Sequence, residues 1–389
     1  MVTNRQQNRS FLILLLFFAH ALSAQTPWRE GEVRGVWLTN VDSRVLESRA
    51  SIAEAMQFLK DHHFNIVFPV VWNDAKTLYP SRVMDSLFGM PIDPRMVRNA
   101  PGRDPLQEVI EEAHARGIAV VPWFEYGFSS SYNKKGGVIL KRFPHWAARD
   151  AKGRLLKKNG FEWMNPYHPE VQEFILSLVR EVVARYDVDG VQGDDRLPAN
   201  PSEGGYDAYT RSLYALEHHG LQPPKDPKDP AWLRWRGDRL NAFGKRLYDE
   251  VKRIKPRVLV TWSPSIFSWS FEEYLQDWPA WVNGGYADLV IPQVYRYSID
   301  RYTQALASQS NDSLGIPASY RAIVPGILMN VGTYVIEEEH LLRAMQVNRE
   351  RGYRGEVFFF YEGLRKNEGR LAKAIMDRFY QEVVGLPWN

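Results

Sequence analysis

The heptapeptide Asp189-Gly-Val-Gln-Gly-Asp-Asp195 sets two adjacent carboxylates at the end of a short strand-like run. Side chains alternate along a strand, so Gly190, Gln192 and Asp194 share one face. A glutamine and an aspartate pack poorly against a helix, so this face is read as the one turned toward the axis of a closed sheet. Asp194 then stands at the carboxyl end of the strand, while Asp195 points elsewhere or opens the loop. Capping a turn or helix is the alternative role for either aspartate. Ile118–Phe124 repeats the pattern: Val120, Pro122 and Phe124 form an apolar face, leaving Val121, Trp123 and Glu125 on the axial one. Glu125 is the second carboxylate expected at this end, with a structural salt bridge or hydrogen bond as its alternative. Glu362, just past Phe358–Phe360, is a third.

Paired carboxylates suit cleavage of a glycosidic bond. One acid protonates the leaving oxygen, and a second group stabilises an oxocarbenium-like centre or activates water. Burial among tryptophans raises the pKa of the acid member, which fits Glu125 better than a solvated aspartate. Polar and aromatic residues gather at the other strand ends as well: Trp37, Thr39 and Asn40; Trp72 and Asn73; Trp262 and Ser263; Gln293, Tyr295 and Arg296. Aromatic faces beside hydrogen-bonding groups match a sugar, with its apolar C–H face and rim of hydroxyls. The expected catalytic group is Asp194, Asp195 and Glu125. Around it, Trp37, Asn40, Trp72, Asn73, Trp123, Trp262, Gln293, Tyr295, Arg296 and Glu362 are expected to bind substrate.

Competing chemistries lack their signatures. There is no Gly-rich phosphate loop, no H-E-x-x-H, no G-x-S-x-G and no cysteine. The tandem histidines His62–His63 and His218–His219 fall on predicted helices, where adjacent residues face apart, and are read as surface residues. No metal and no cofactor is expected, although Asp194 and Asp195 offer the oxygen donors a hard cation takes.

Eight strand candidates must position these groups: Arg34–Thr39, Asn65–Trp72, Ile118–Phe124, Asp189–Asp194, Arg257–Trp262, Asp288–Tyr295, Ile323–Leu328 and Gly355–Tyr361. Helix-like runs alternate with them, the clearest being Pro169–Tyr186, where Val171, Phe174, Ile175, Leu178, Val179, Val182, Val183 and Tyr186 keep one-face spacing. Pro169 suits the first turn, where its missing N–H costs nothing. Such alternation implies a parallel sheet. Helix-to-strand links are short (Gly117, Asp187–Val188, Pro256, Arg351–Arg354), whereas the strand-to-helix links Asn73–Arg103, Glu125–His168 and Asp195–Trp232 are long. Elaboration confined to the carboxyl ends of the strands predicts an α/β fold of the (β/α)8 TIM-barrel type rather than an open doubly wound sheet. Residues 25–389 are read as one barrel domain, with Gln222–Pro230 an exposed loop within it.

Arg5 and Arg9 precede the apolar run Phe11–Leu22 and the small residues Ser23 and Ala24, a pattern that predicts a signal peptide over residues 1–24. The run is short for a stable membrane span. An exported protein, periplasmic or extracellular, is therefore expected, and the absence of cysteine suits that compartment. Removing the two arginines takes the formal charge from +3 to about +1, which gives no support for a nucleic-acid partner. A polysaccharide partner fits the 13 % aromatic content better.

The motifs Arg34-Gly-Val-Trp-Leu-Thr, Phe64-Asn-Ile-Val-Phe-Pro-Val-Val-Trp, Ala113-His-Ala-Arg-Gly-Ile, Asp189-Gly-Val-Gln-Gly-Asp-Asp and Pro292-Gln-Val-Tyr together resemble the glycosyl hydrolase-like 10 family. The resemblance implies a barrel, export, and action on bacterial envelope polysaccharide, with peptidoglycan glycan strands foremost. It supports Asp194 or Asp195 as the central acid and Trp72, Gln293 and Tyr295 as mouth residues. The chain departs from the family pattern at Glu125, where that pattern carries asparagine. The fourth strand also partly resembles the chitinase D-G-x-D-x-D-x-E pattern, but Gln192 and Arg196 replace two acids there, which argues against substrate-assisted chitinase chemistry. A non-catalytic glycan-binding barrel is the alternative function, and a glycan-modifying transferase a third.

Overall fold

The computed structural model describes residues 30–388, so the expected signal peptide lies outside the described residues. The eight barrel strands are β1 (Val33–Leu38), β2 (Ile66–Pro69), β3 (Ala119–Val120 and Trp123–Phe124), β4 (Gly190–Gly193), β5 (Leu259–Trp262), β6 (Leu289–Val290), β7 (Gly326–Leu328) and β8 (Gly355–Phe359). All pair in parallel. β1 lies between β8 and β2, with Gly35 opposite both Val357 and Ile66. β7 continues this group beyond β8, and β4, β5 and β6 form a second one.

β3 joins the two groups because Pro122, which has no N–H to donate, splits it. Its first half pairs with β2 and its second with β4. Parallel bridges Val290–Ile323 and Gln293–Gly326 join β6 to β7. Pairing thus runs round all eight strands, as the alternating sequence predicts for a TIM barrel.

Several predicted strands are shorter than expected, the second, sixth and seventh most of all. The second ends at Pro69, and Trp72–Asn73 instead pairs antiparallel with Lys76–Thr77 in a hairpin of the following loop. The sixth keeps only Leu289–Val290, because Pro292 interrupts its ladder. The best-marked helix is observed at Pro169–Arg185, where the ring Nδ1 of His168 accepts the Glu170 N–H at the N-terminus. Its apolar face, Val171 through Val183, is buried.

The long loops cluster on one side. The loop after β3 carries a three-stranded antiparallel sheet of Ser129–Tyr132, Phe161–Trp163 and Lys157–Lys158. The loop after β4 is tied down by Arg236, a fully buried residue on the helix Pro230–Ile254. Its guanidinium donates to the carbonyls of Ser202 (2.5 Å), Gly204 (2.6 Å), Pro227 (2.6 Å) and Trp232 (3.2 Å). Burial pushes its pKa down to about 10. The stretch Gln222–Pro230 lies largely at the surface but is anchored through Pro227 and through Pro224, whose carbonyl accepts from the Tyr206 hydroxyl.

Candidate active site

The face of β4 read as axial is the one that meets the opposite strands. Gln192 accepts the indole N–H of Trp37 at 2.6 Å and donates to the Thr261 hydroxyl at 3.3 Å. Asp194, only 2 % exposed, follows the strand at its carboxyl end. Its Oδ1 accepts from Gln293 Nε2 at 3.0 Å and from the backbone N–H of Asp195. Its Oδ2 accepts from Arg196 Nη2 at 3.1 Å. The side chain of Gln276 fixes the local backbone by donating to the Asp194 carbonyl.

Glu125 reaches the same place from β3. Asn73 donates to its carboxylate, and Arg196 Nη2 lies 3.5 Å from its Oε1. Arg196 Nη1 sits 2.9 Å from Asp195 Oδ1, without the alignment of a hydrogen bond. One guanidinium therefore faces three carboxylates, and it packs against the Phe161 ring, 4.4 Å from the centroid. With all four groups charged the cluster carries two net negative charges, so it favours holding a proton.

The titration behaviour follows from that excess. Burial pushes the Asp194 carboxyl well up, and the negative Asp195 adds to this while Arg196 opposes it. Burial also raises Glu125, against the pull of Arg196 and Asn73. Burial works against the charge of Arg196, but Asp195, Asp194 and Glu125 outweigh it and hold its pKa above the usual value. The Tyr295 hydroxyl is pushed well up by burial and then by Asp194 and Asp195, and its ring stacks on Phe359.

The remaining expected residues divide into two groups. Trp37 and Trp123 lie inside the barrel with ring centroids 6.3 Å apart, and the Trp123 indole N–H has no partner. Asn40 is buried with neither amide atom paired. Glu362 accepts from the Ser43 hydroxyl at 2.7 Å and so joins the end of β8 to the loop after β1. Arg296 is half-buried and donates to the carbonyl of Tyr295.

Trp72 and Trp262 must be corrected, because both rings are packing rather than sugar platforms. Trp72 donates to the Gly127 carbonyl and sets its edge on Phe174 of the helix layer. Trp262 donates to the Tyr286 carbonyl and packs on Trp281. Register explains the second case: Thr261 lies opposite the axial Gln192, so Trp262 shares the outward face with Gly193. A Cβ on Gly193 would come within 2.5 Å of the Trp262 ring.

Arg196 and the pair of exposed Tyr297 and half-buried Tyr334, edge to face at 4.8 Å, were not among the expected site residues. The run Asp-Asp-Arg was the available signal for Arg196, since a cation beside two acids at a strand end is held by them. The tandem histidines do not converge. His62, His63 and His218 each engage a backbone carbonyl through Nδ1.

Eight parallel strands paired in turn, with long loops and a buried acidic cluster at their carboxyl ends, define a protein of the TIM-barrel class, in which sites are built at that end. The chain belongs to the glycosyl hydrolase-like 10 family, whose model matches residues 32–336. It is 28 % identical to glycosyl hydrolase DigH of Escherichia coli K12 over 289 residues, which cover 68 % of this chain and 62 % of that protein. The chain thus spans under two thirds of that relative's length. Glycosyl hydrolase YngK of Bacillus subtilis is 23 % identical over 434 residues, 97 % of this chain and 77 % of that one. Among solved structures, the PgaB (BpsB) glycoside hydrolase domain from Bordetella bronchiseptica superimposes with a TM-score of 0.60 at 16 % identity, covering 89 % of this chain and 98 % of that one. The catalytic domain of a Paenibacillus polymyxa β-amylase gives 0.61 at 9 % identity, covering 91 % and 99 %. These structural likenesses bear on the fold.

Proposed function

We propose that this chain hydrolyses glycosidic bonds in a bacterial envelope polysaccharide, with peptidoglycan glycan strands as the substrate class, and that it does so after export. The observation that carries this reading is the cluster of Glu125, Asp194 and Asp195 on a single arginine at the barrel mouth. Family membership supports it. Export rests on the N-terminal sequence; among the described residues no helix is long and apolar enough to cross a membrane.

The roles differ from the sequence expectation. That expectation gave the acid role to Glu125 on grounds of burial, but the Asp194 side chain is the more buried, at 2 % exposure against 15 %. Asp194, whose pKa burial and then the negative Asp195 raise well above the usual carboxylate range, therefore supplies the acid, with the 27 % exposed Asp195 side chain on the substrate side. Glu125 is the partner that stabilises the developing positive charge or activates water.

Asp194→Asn tests this proposal with peptide-free glycan strands in heavy-oxygen water. The expected result is loss of reducing ends and of label incorporation while strand binding persists. Undiminished turnover would remove Asp194 from the mechanism. One observation favours a second reading, a glycan-binding barrel without catalysis: Arg196 engages all three acids. That reading predicts saturable binding and no new reducing ends from the unaltered protein.

A further inference from the structure

We propose that His145, His168 and Glu170 form a binding site for a divalent transition-metal ion of the zinc class, apart from the acidic cluster. The three residues offer ligand atoms that all lie within 4.8 Å of one another. They are the only such group of three or more histidine, cysteine or acidic residues among the described residues. His145 Nε2 lies 2.9 Å from Glu170 Oε2, hydrogen-bonding distance, and a small widening to roughly 3.3 Å would give the edge of a tetrahedral zinc shell. The two imidazole rings stand with centroids 5.5 Å apart at 66°, so their nitrogens converge rather than stack.

The surroundings suit ligation. The Trp146 indole donates to Glu170 Oε2 at 2.8 Å and orients the carboxylate, as an outer-sphere donor does in metal sites. His168 is half-buried against Tyr209, and its Nδ1 caps the helix Pro169–Arg185. Its Nε2 is the atom left to face an ion, with the Glu170 N–H contact giving way to a protonated Nδ1.

Two imidazoles and one carboxylate select zinc, nickel or copper over magnesium and calcium, which take all-oxygen shells. Both His145 and Glu170 are exposed, so water completes the shell. The site joins the turn Pro144–Trp146 to the start of the helix Pro169–Arg185. These are the two ends of the part of the loop that carries Phe161, the ring under Arg196. A bound ion would brace that loop without touching the acids.

Calorimetric titration of the tag-free protein with zinc is the test. One site per chain is expected, with excess magnesium failing to compete. His145→Ala and His168→Asn should each weaken binding at least tenfold. The asparagine side chain keeps an N-cap acceptor in the second variant, so the helix is retained and circular dichroism should be unchanged. Zinc should also raise the melting temperature of the parent protein and not that of either variant. No zinc binding by the parent, or an affinity in both variants equal to the parent's, would overturn the proposal.

Discussion

Asp194 and Glu162 are buried almost equally, at 2 % and 4 % exposure, yet their surroundings push them in opposite directions. Glu162 sits in the loop sheet and accepts from the Ser131 hydroxyl (2.5 Å) and from the N–H groups of Lys134 (2.9 Å), Lys135 (2.9 Å) and Gly136 (2.8 Å). Burial works against its charge, but these four donors outweigh it and hold the carboxyl below its usual range. Asp194 also has donors, but burial and then the negative Asp195 raise its pKa against one Arg196 that it shares with two other acids. Glu356, buried at the start of β8, is also satisfied by hydrogen bonds, from Tyr380, Asn348 and Arg349. Burial is nearly the same at Asp194 and Glu162, so the difference in direction lies in the partners: four donors on Glu162, and one arginine shared by three acids at Asp194.

Breaking the contrast at its stronger end gives the largest effect. Asp194→Asn should lower turnover by about a thousandfold or more, measured as reducing-end release. It should also change the pH dependence of stability. A carboxyl whose folded-state pKa is raised contributes stability below its unfolded pKa and loses it as pH rises through the folded value. The variant should therefore gain on the parent in denaturation midpoint as pH rises from about 4.

Glu162→Gln probes the other side. It should cost about 2 kcal/mol at neutral pH, with the catalytic rate changed little. The sign of the pH effect reverses here. The stability from a depressed carboxyl is present above its unfolded pKa and lost as pH falls through the folded one, so parent and variant should converge in acid. A gap that widened in acid would defeat the comparison.

Arg196→Met would sharpen it by removing the shared cation. Glu125 and Asp194 should titrate at still higher pH, and the alkaline limb of the kcat/KM profile should move upward with a loss of about tenfold at neutrality. A smaller effect is expected at the rim. Tyr297 is 63 % exposed beside Tyr334, and Tyr297→Ala should weaken glycan binding by about 1 kcal/mol with kcat unchanged.

The barrel was legible because each strand carries a short apolar run and each long link follows a strand. The axial facing of β4 was also legible, since Gln192 and Asp194 mark the polar side. The same rule applied to β5 would have placed Thr261 and Ser263 on the axis and Trp262 outside; weighting the aromatic over the alternation obscured this. Trp72 was misplaced because nothing local shows that the chain leaves the barrel after Val71 and turns into a hairpin. The joining of His145 to Glu170 depends on how a long loop folds back, which one-dimensional spacing does not carry. The sharing of Arg196 among three acids likewise depends on two strands meeting.

Arg236 carries a consequence for how the mouth survives a change of medium. Its partners are peptide carbonyls, which neither titrate nor exchange counter-ions as carboxylates do. Acid that neutralises the surface ion pairs leaves this anchor intact, and added salt has little to screen. The wall built on the loop after β4 therefore keeps its shape under conditions that loosen the rest of the surface, so the cleft keeps its outline while its charge varies.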